Sequence, residues 1–185
     1  MSVTAEQALS VYTRADRLYS QAEVEAALAR MAGEIGARLK GRNPLLLCVM
    51  TGGVVAMGQL LTRLDFPLQV DYLHATRYAG STQGGELQWR TRPATALRDR
   101  VVLVVDDILD EGNTLAAILQ YCKAEGAREV YSAVLVNKLH DRKCDVRADF
   151  VGLTVEDRYV FGYGMDYKDY WRNAPGIFAV REEDI

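Results

Sequence analysis

Residues 101–115, Val-Val-Leu-Val-Val-Asp-Asp-Ile-Leu-Asp-Glu-Gly-Asn-Thr-Leu, narrow the choice of fold more than any other stretch of the chain. Five consecutive apolar residues, mostly β-branched, make a strand buried on both faces, as in a parallel sheet covered by helices. The acidic pair Asp106 and Asp107 ends that run, Asp110 follows, and Gly112 turns the chain toward Thr114 and an apolar helical pattern. Open α/β sheets build sugar-phosphate sites this way: the ligand lies beyond the carboxyl end of a strand, and turn amides and a helix N-terminus hold the phosphate. Adjacent carboxylates at that mouth suit ribose hydroxyls or a magnesium ion, which both take hard oxygen partners. A plain acidic loop, with Asp110 near a helix start, gives the same local pattern. Other segments have to arbitrate.

The rest of the chain alternates strand and helix patterns. Ser20 and Glu23 form a capping box for a helix over about 21–40, with Val24, Leu28, Met31, Ile35 and Leu39 on one face. An apolar strand at 45–50 turns through Gly52 and Gly53 into a helix at 54–64. Strands are expected at 69–76 and 87–92 around a polar, glycine-rich loop, then at 101–105, 130–137, 150–155 and 177–180. A helix at about 114–125 stops at Gly126. The expected class is α/β, a mostly parallel central sheet flanked by helices on both faces.

Composition narrows the setting. At 185 residues the chain suits one domain, and a net charge of −3 lacks the basic footprint of a general nucleic-acid binder. Cys48, Cys122 and Cys144 are an odd, scattered set; Cys48, in an apolar run, and Cys122, on a helical pattern, read as buried thiols, and the set suggests a reducing, cytoplasmic setting. No apolar run approaches membrane-spanning length, and no signal region opens the chain. Neither nucleic acid nor membrane is expected as a partner.

Further residues suit the same mouth. The turn at Thr51, Gly52 and Gly53 offers amides to a second phosphate group, although helix–strand packing alone explains such a turn. Lys138 ends an apolar strand, where its ammonium can donate to a carbonyl oxygen of a ligand or simply face water. Residues 157–164 set aromatics beside exposed backbone, suited to stacking on a flat heterocycle or to core packing. His74 and His140 lie far from any cysteine or second histidine and read as structural.

The segment from Val101 to Thr114 resembles the phosphoribosyl-diphosphate (PRPP) motif of type I phosphoribosyltransferases. Leu135-Val136-Asn137-Lys138 and the stretch from Asp157 through Tyr167 to Arg172 resemble the hypoxanthine-guanine branch of purine salvage. The resemblance covers roughly residues 45–180. It implies one phosphoribosyltransferase domain over 1–185, with a core at about 21–155, a small hood from 1–20 and 156–185, and a flexible lid at about 77–88 that includes Arg77, Tyr78 and Ser81.

By the same resemblance Asp106 and Asp107 bind ribose hydroxyls, and Asp110 is the general acid/base near purine N7. Asp110, Glu111, Gly112, Asn113 and Thr114 surround the 5′-phosphate; Thr51, Gly52, Gly53 and Arg172 serve pyrophosphate. Lys138 donates to the 6-oxo group, Tyr159 stacks on the base, and the Val160 backbone and Asp166 read its edge. Mg²⁺ is the implied cofactor, associated with Asp166, Asp106 and Asp107, and the assembly is a homodimer or homotetramer.

Two positions depart from the family pattern. Thr51 stands where relatives usually carry lysine, and Glu111 where Thr or Ser is common. Both changes remove favourable contacts to phosphate groups, and a glutamate beside a dianion is unfavourable unless it points away. The expected reaction joins PRPP to hypoxanthine or guanine. A xanthine- or uracil-preferring enzyme, and an RNA-binding regulator that keeps the PRPP motif, are the alternatives; the acidic balance and the Lys138–Tyr159–Asp166 set favour the purine enzyme.

Overall fold

The computed structural model describes residues 3–77 and 87–185. Among the described residues four α-helices, α1 (Ala5–Arg14), α2 (Gln21–Leu39), α3 (Gly53–Leu61) and α4 (Asn113–Ala124), alternate with strands. The strands are β1 (Asp16–Ser20), β2 (Leu45–Val49), β3 (Gln69–Arg77), β4 (Leu87–Thr91), β5 (Val101–Leu109), β6 (Glu129–Leu139), β7 (Phe150–Glu156), β8 (Val160–Phe161) and β9 (Gly176–Ala179).

Six strands form one sheet in the order β4-β3-β2-β5-β6-β7, parallel except for β4. The apolar runs of β2, β5 and β6 are continuous because both faces are covered, and side chains alternate between them. Leu46, Cys48, Leu103, Val105 and Leu135 point toward Val24, Leu28, Met31 and Ile35 of α2 and Met57 and Leu60 of α3. Leu45, Leu47, Val102, Val104 and Val134 point toward Leu115, Ile118 and Cys122 of α4. Cys48 and Cys122 are buried, as the sequence suggested, and burial pushes both thiols up to about 12. Neither is a ready nucleophile.

A second sheet, β1-β9-β8, joins the two ends of the chain antiparallel. Helix α1 rests on it, with Tyr12 stacked on Trp171 at 4.4 Å and the Trp171 indole N–H donating to the Ala8 carbonyl at 2.7 Å. The sequence reading placed no helix there. Thr4 and Gln7 form a capping box like that of Ser20 and Glu23, but only Ala8 and Val11 of α1 are buried. Their partners, Phe161 and Phe178 among them, lie over a hundred residues away, so no local periodicity reveals the face.

Two strands also run further than expected. β5 continues through Asp106 and Asp107 to Leu109, paired with β6 as far as Asn137. The acidic pair therefore lies inside the ladder, not beyond it. β6 reaches Leu139 because β7 pairs with it through Lys138 and Leu139.

Candidate active site

The C-terminal ends of β5 and β6, the turn before α3 and the segment around Gly164 meet at one rim. Three glycines allow this. A Cβ on Gly52 would lie 1.9 Å from Asp107 Oδ2, one on Gly53 would lie 2.7 Å from the Val105 carbonyl, and one on Gly164 would lie 2.1 Å from the Gly52 carbonyl. The turn thus lies against the acidic strand, and Gly164, at φ +110°, lies against the turn. The Met50–Thr51 peptide in this turn is cis.

Asp106, Asp107, Asp110, Glu111, Gly112, Asn113 and Thr114 line one cavity of about 370 Å³ together with Arg142. Gly112 is left-handed at φ +86° and opens α4, so the first free amides of that helix face the loop. A larger cleft of about 630 Å³ lies along β6, lined by Leu109, Lys138, His140, Lys143, Arg147 and Val151. The acidic pair and the glycine loop line the smaller cavity, and Lys138 and His140 reach it through Asp110.

Burial, and then the neighbouring Asp107 carboxylate, raise the Asp106 carboxyl well above the ordinary aspartate value. Burial raises Asp107 too, opposed by hydrogen bonding and by the charge of Arg172. The backbone amide that follows each carboxylate donates to it: Asp107 N–H to Asp106 Oδ1 at 2.9 Å, and Ile108 N–H to Asp107 Oδ1 at 2.8 Å. Hydroxyl donors or a divalent cation would complete this donor set.

Asp110 has the opposite environment. Burial would raise its carboxyl, but hydrogen bonds from Lys138 and His140 outweigh it and hold the group below the usual range. Lys138 Nζ donates to Oδ2 at 2.7 Å, and His140 Nε2 donates to Oδ1 at 2.6 Å. Lys138 itself is buried at 9% exposure; it lines the larger cleft and meets the 370 Å³ cavity through Asp110. Asp157 lies 3.9 Å from Lys138 and is held by both terminal nitrogens of Arg142, at 2.7 and 3.0 Å. Ligand atoms of Asp110, His140 and Asp157 approach within 4.8 Å of one another, but Lys138 and Arg142 already neutralise the two carboxylates. This is an ion-pair network.

The sequence reading does not foresee this contact of His140, which lies two positions beyond Lys138 and reaches Asp110 from the end of β6. Glu111 is exposed and accepts from Asn113 Nδ2 at 3.2 Å. Thr51 is exposed at the turn.

The tail supplies the remaining residues. Arg172 donates through one nitrogen to the Gly164 carbonyl at 2.6 Å and pairs with Asp166 at 2.5 Å. Tyr159 packs on Tyr167 at 5.6 Å, and its hydroxyl accepts from the Lys168 N–H. Val180 N–H donates to the Tyr159 carbonyl at 2.8 Å, so antiparallel alternation directs the Val160 main-chain groups away from β9. Tyr159 and Val160 are not among the residues lining the 370 Å³ cavity. Of the proposed lid residues, Tyr78 and Ser81 lie outside the described residues, as does the Arg77 side chain.

Comparison with known proteins agrees with this geometry. The sequence model of the phosphoribosyl transferase domain matches residues 14–169. A hypoxanthine-guanine-xanthine phosphoribosyltransferase of Tritrichomonas foetus is 34% identical over 166 residues, 89% of this chain and 91% of that protein. A hypoxanthine-guanine phosphoribosyltransferase of Bacillus subtilis is 31% identical over 165 residues, 89% of this chain and 92% of that protein. The crystal structure of a Staphylococcus aureus hypoxanthine phosphoribosyltransferase superposes with a TM-score of 0.86 at 26% identity, covering 91% of this chain and 92% of that one. With a strand, an acidic pair, a glycine loop and a helix in the family's order, and with matches of this extent, the chain belongs to the phosphoribosyl transferase family, on its hypoxanthine-guanine branch.

Proposed function

We propose that this protein transfers the 5-phosphoribosyl group of PRPP to a 6-oxopurine, hypoxanthine or guanine, and releases pyrophosphate. One observation carries the reading: three aspartates and a helix-opening glycine loop line a single cavity, with a buried lysine on the third aspartate. Carboxylates, amides and a cation are what a ribose, a phosphate and an oxo-purine respectively require.

As the bond from C1 to pyrophosphate breaks ahead of attack by purine N9, the ribose gains oxocarbenium character. Asp106 and Asp107 hold its hydroxyls and favour the positive charge. Amides of residues 110–114 and the N-terminus of α4 hold the 5′-phosphate, while Thr51, Gly52, Gly53 and Arg172 hold the departing pyrophosphate. The carboxylates of Asp106 and Asp107, with Asp166, would hold magnesium; bound there with PRPP, it would offset the charge of the pyrophosphate.

Asp110 takes or shares the N7 proton, a contribution typically worth about 10²–10⁴ in rate. Lys138 has three donors and no acceptor, so it favours a carbonyl at purine C6 over the amino group of adenine. Tyr159 stacks on the base, and the Val160 main chain and Asp166 read its edge. The protein acts as a homo-oligomer in the cytoplasm.

Ultraviolet absorbance on mixing PRPP, magnesium and a panel of bases tests the reading. Nucleotide is expected from hypoxanthine or guanine and not from adenine. Turnover confined to xanthine or uracil changes the substrate, and no turnover with tight RNA binding replaces the enzyme by a regulator.

A further inference from the structure

Asp110 has both oxygens engaged, by groups of different kinds. Lys138 has a second duty, because the reading above assigns its ammonium to the purine oxo group. When a base enters, its donors are divided between base and Asp110. His140 has no such competing partner. Its ring is nearly buried, at 3% side-chain exposure, and its Nε2 lies 2.6 Å from Asp110 Oδ1.

The opposite ring nitrogen settles how His140 acts. The backbone N–H of Arg142 donates to Nδ1 at 3.2 Å, so Nδ1 carries a lone pair and the ring proton is on Nε2, aimed at Asp110. The Arg142 side chain meanwhile holds Asp157, which keeps that carboxylate from competing for the imidazole. A catalytic base oriented by a group that is itself oriented is a recurring arrangement in acid–base sites.

We propose that His140 is the positioning residue for Asp110: its Nε2–H fixes one carboxylate oxygen and leaves the other for Lys138 and the purine. The proposal rests on the assignment of Asp110 as the base of the reaction. The charged groups that face Asp110 are Lys138 from β6, Arg142 and Lys143 from the loop after it, Asp157 from beyond β7, and Glu111 beside it. A substitution at His140 alters none of these side chains chemically.

Two substitutions separate positioning from a merely structural role. Gln places an amide donor where Nε2 stands, whereas Asn reaches only the Nδ1 position, able to satisfy Arg142 but not Asp110. His140→Gln is expected to keep kcat within about fivefold of the unsubstituted protein, and His140→Asn to lower it about 10- to 100-fold with the KM for PRPP within threefold. In His140→Asn the acid limb of the kcat profile moves to higher pH, since Asp110 has lost a donor to its charged form. The reverse ranking, with Asn restoring and Gln failing, overturns the proposal. So does an unchanged acid limb in His140→Asn. A ¹³C-carboxyl NMR titration of Asp110 in the ligand-free protein is independent of turnover: its midpoint rises in His140→Asn if the contact holds and stays put if it does not. Should no 6-oxopurine react with the unsubstituted protein, the reaction has been misassigned, while the titration still decides the His140–Asp110 contact.

Discussion

Asp106 and Asp110 belong to one cavity, yet their surroundings shift them in opposite directions, and each direction has a measurable consequence. Burial and the adjacent carboxylate raise Asp106, so the folded protein keeps a proton there that the unfolded chain has released. The stability this group contributes is complete below about pH 4 and is lost as pH rises through the raised value. Asp106→Asn is therefore expected to unfold at a higher temperature than the unsubstituted protein at pH 8, by about 2–4 °C per kcal/mol recovered, with the gain shrinking toward pH 4. Calorimetry at both pH values checks it, and an equal or lower Tm at pH 8 refutes the account. For Asp110→Asn the expectation is a fall in turnover of at least ~10² with little change in nucleotide affinity; near-normal turnover removes Asp110 from the mechanism. At the turn before α3, Thr51→Lys is expected to tighten PRPP binding by supplying the absent charge, and an unchanged KM for PRPP would count against that. The identities of these residues were legible in the sequence as a motif. Their protonation was not, because it depends on burial, on the reach of Lys138 and on His140.

At the scale of elements, the junction between β5 and α4 shows why a glycine is required. Gly112 has a left-handed backbone at φ +86°, and a Cβ there would lie 2.4 Å from Val146 Cγ1 and 3.2 Å from Cys144 Sγ. The loop after β6 thus packs against the phosphate loop, and the Cys144 N–H donates to the Glu111 carbonyl at 2.9 Å. Gly112→Ala must shift one loop or the other as well as strain the backbone. A rise of tenfold or more in the KM for PRPP is expected, with the KM for the base less affected, on the order of the loss a 1 Å displacement brings. Steady-state kinetics with each substrate varied decides, and equal effects on both would point to general unfolding. Helix α2 and strands β2 and β5 could be read locally, from a capping box, five apolar face positions and two unbroken apolar runs. Helix α1 could not, since its buried face is defined by aromatic residues at the other end of the chain. The extensions of β5 and β6 escaped for a related reason: their polar residues are kept in the ladder by neighbouring strands, not by their own propensity.

For the whole molecule, one exposed face remains to be accounted for. Val54, Val70 and Tyr72 are 43%, 47% and 49% exposed, beside a groove of about 480 Å³ lined by Cys48, Met50 and Met57. In the homo-oligomer proposed above, this apolar face, beside the turn before α3, is the candidate contact with a second copy of the chain. Light scattering is expected to give the mass of a dimer or tetramer, and Tyr72→Glu to lower it toward that of a monomer; a monomeric unsubstituted protein rejects the assignment. Among the described residues no helix is long and apolar enough to cross a membrane. Fold class, the order of strands and helices from α2 to β7 and the motif at residues 101–115 followed from the sequence alone, because apolar periodicity, capping residues and turn glycines act over a few neighbouring positions. The company kept by Asp110, the contact of Gly164 with the turn at Gly52, and the closure of the two chain ends into one sheet were decided by tertiary structure. Those depend on which distant segments share a rim, and residue spacing along a chain carries no information about that.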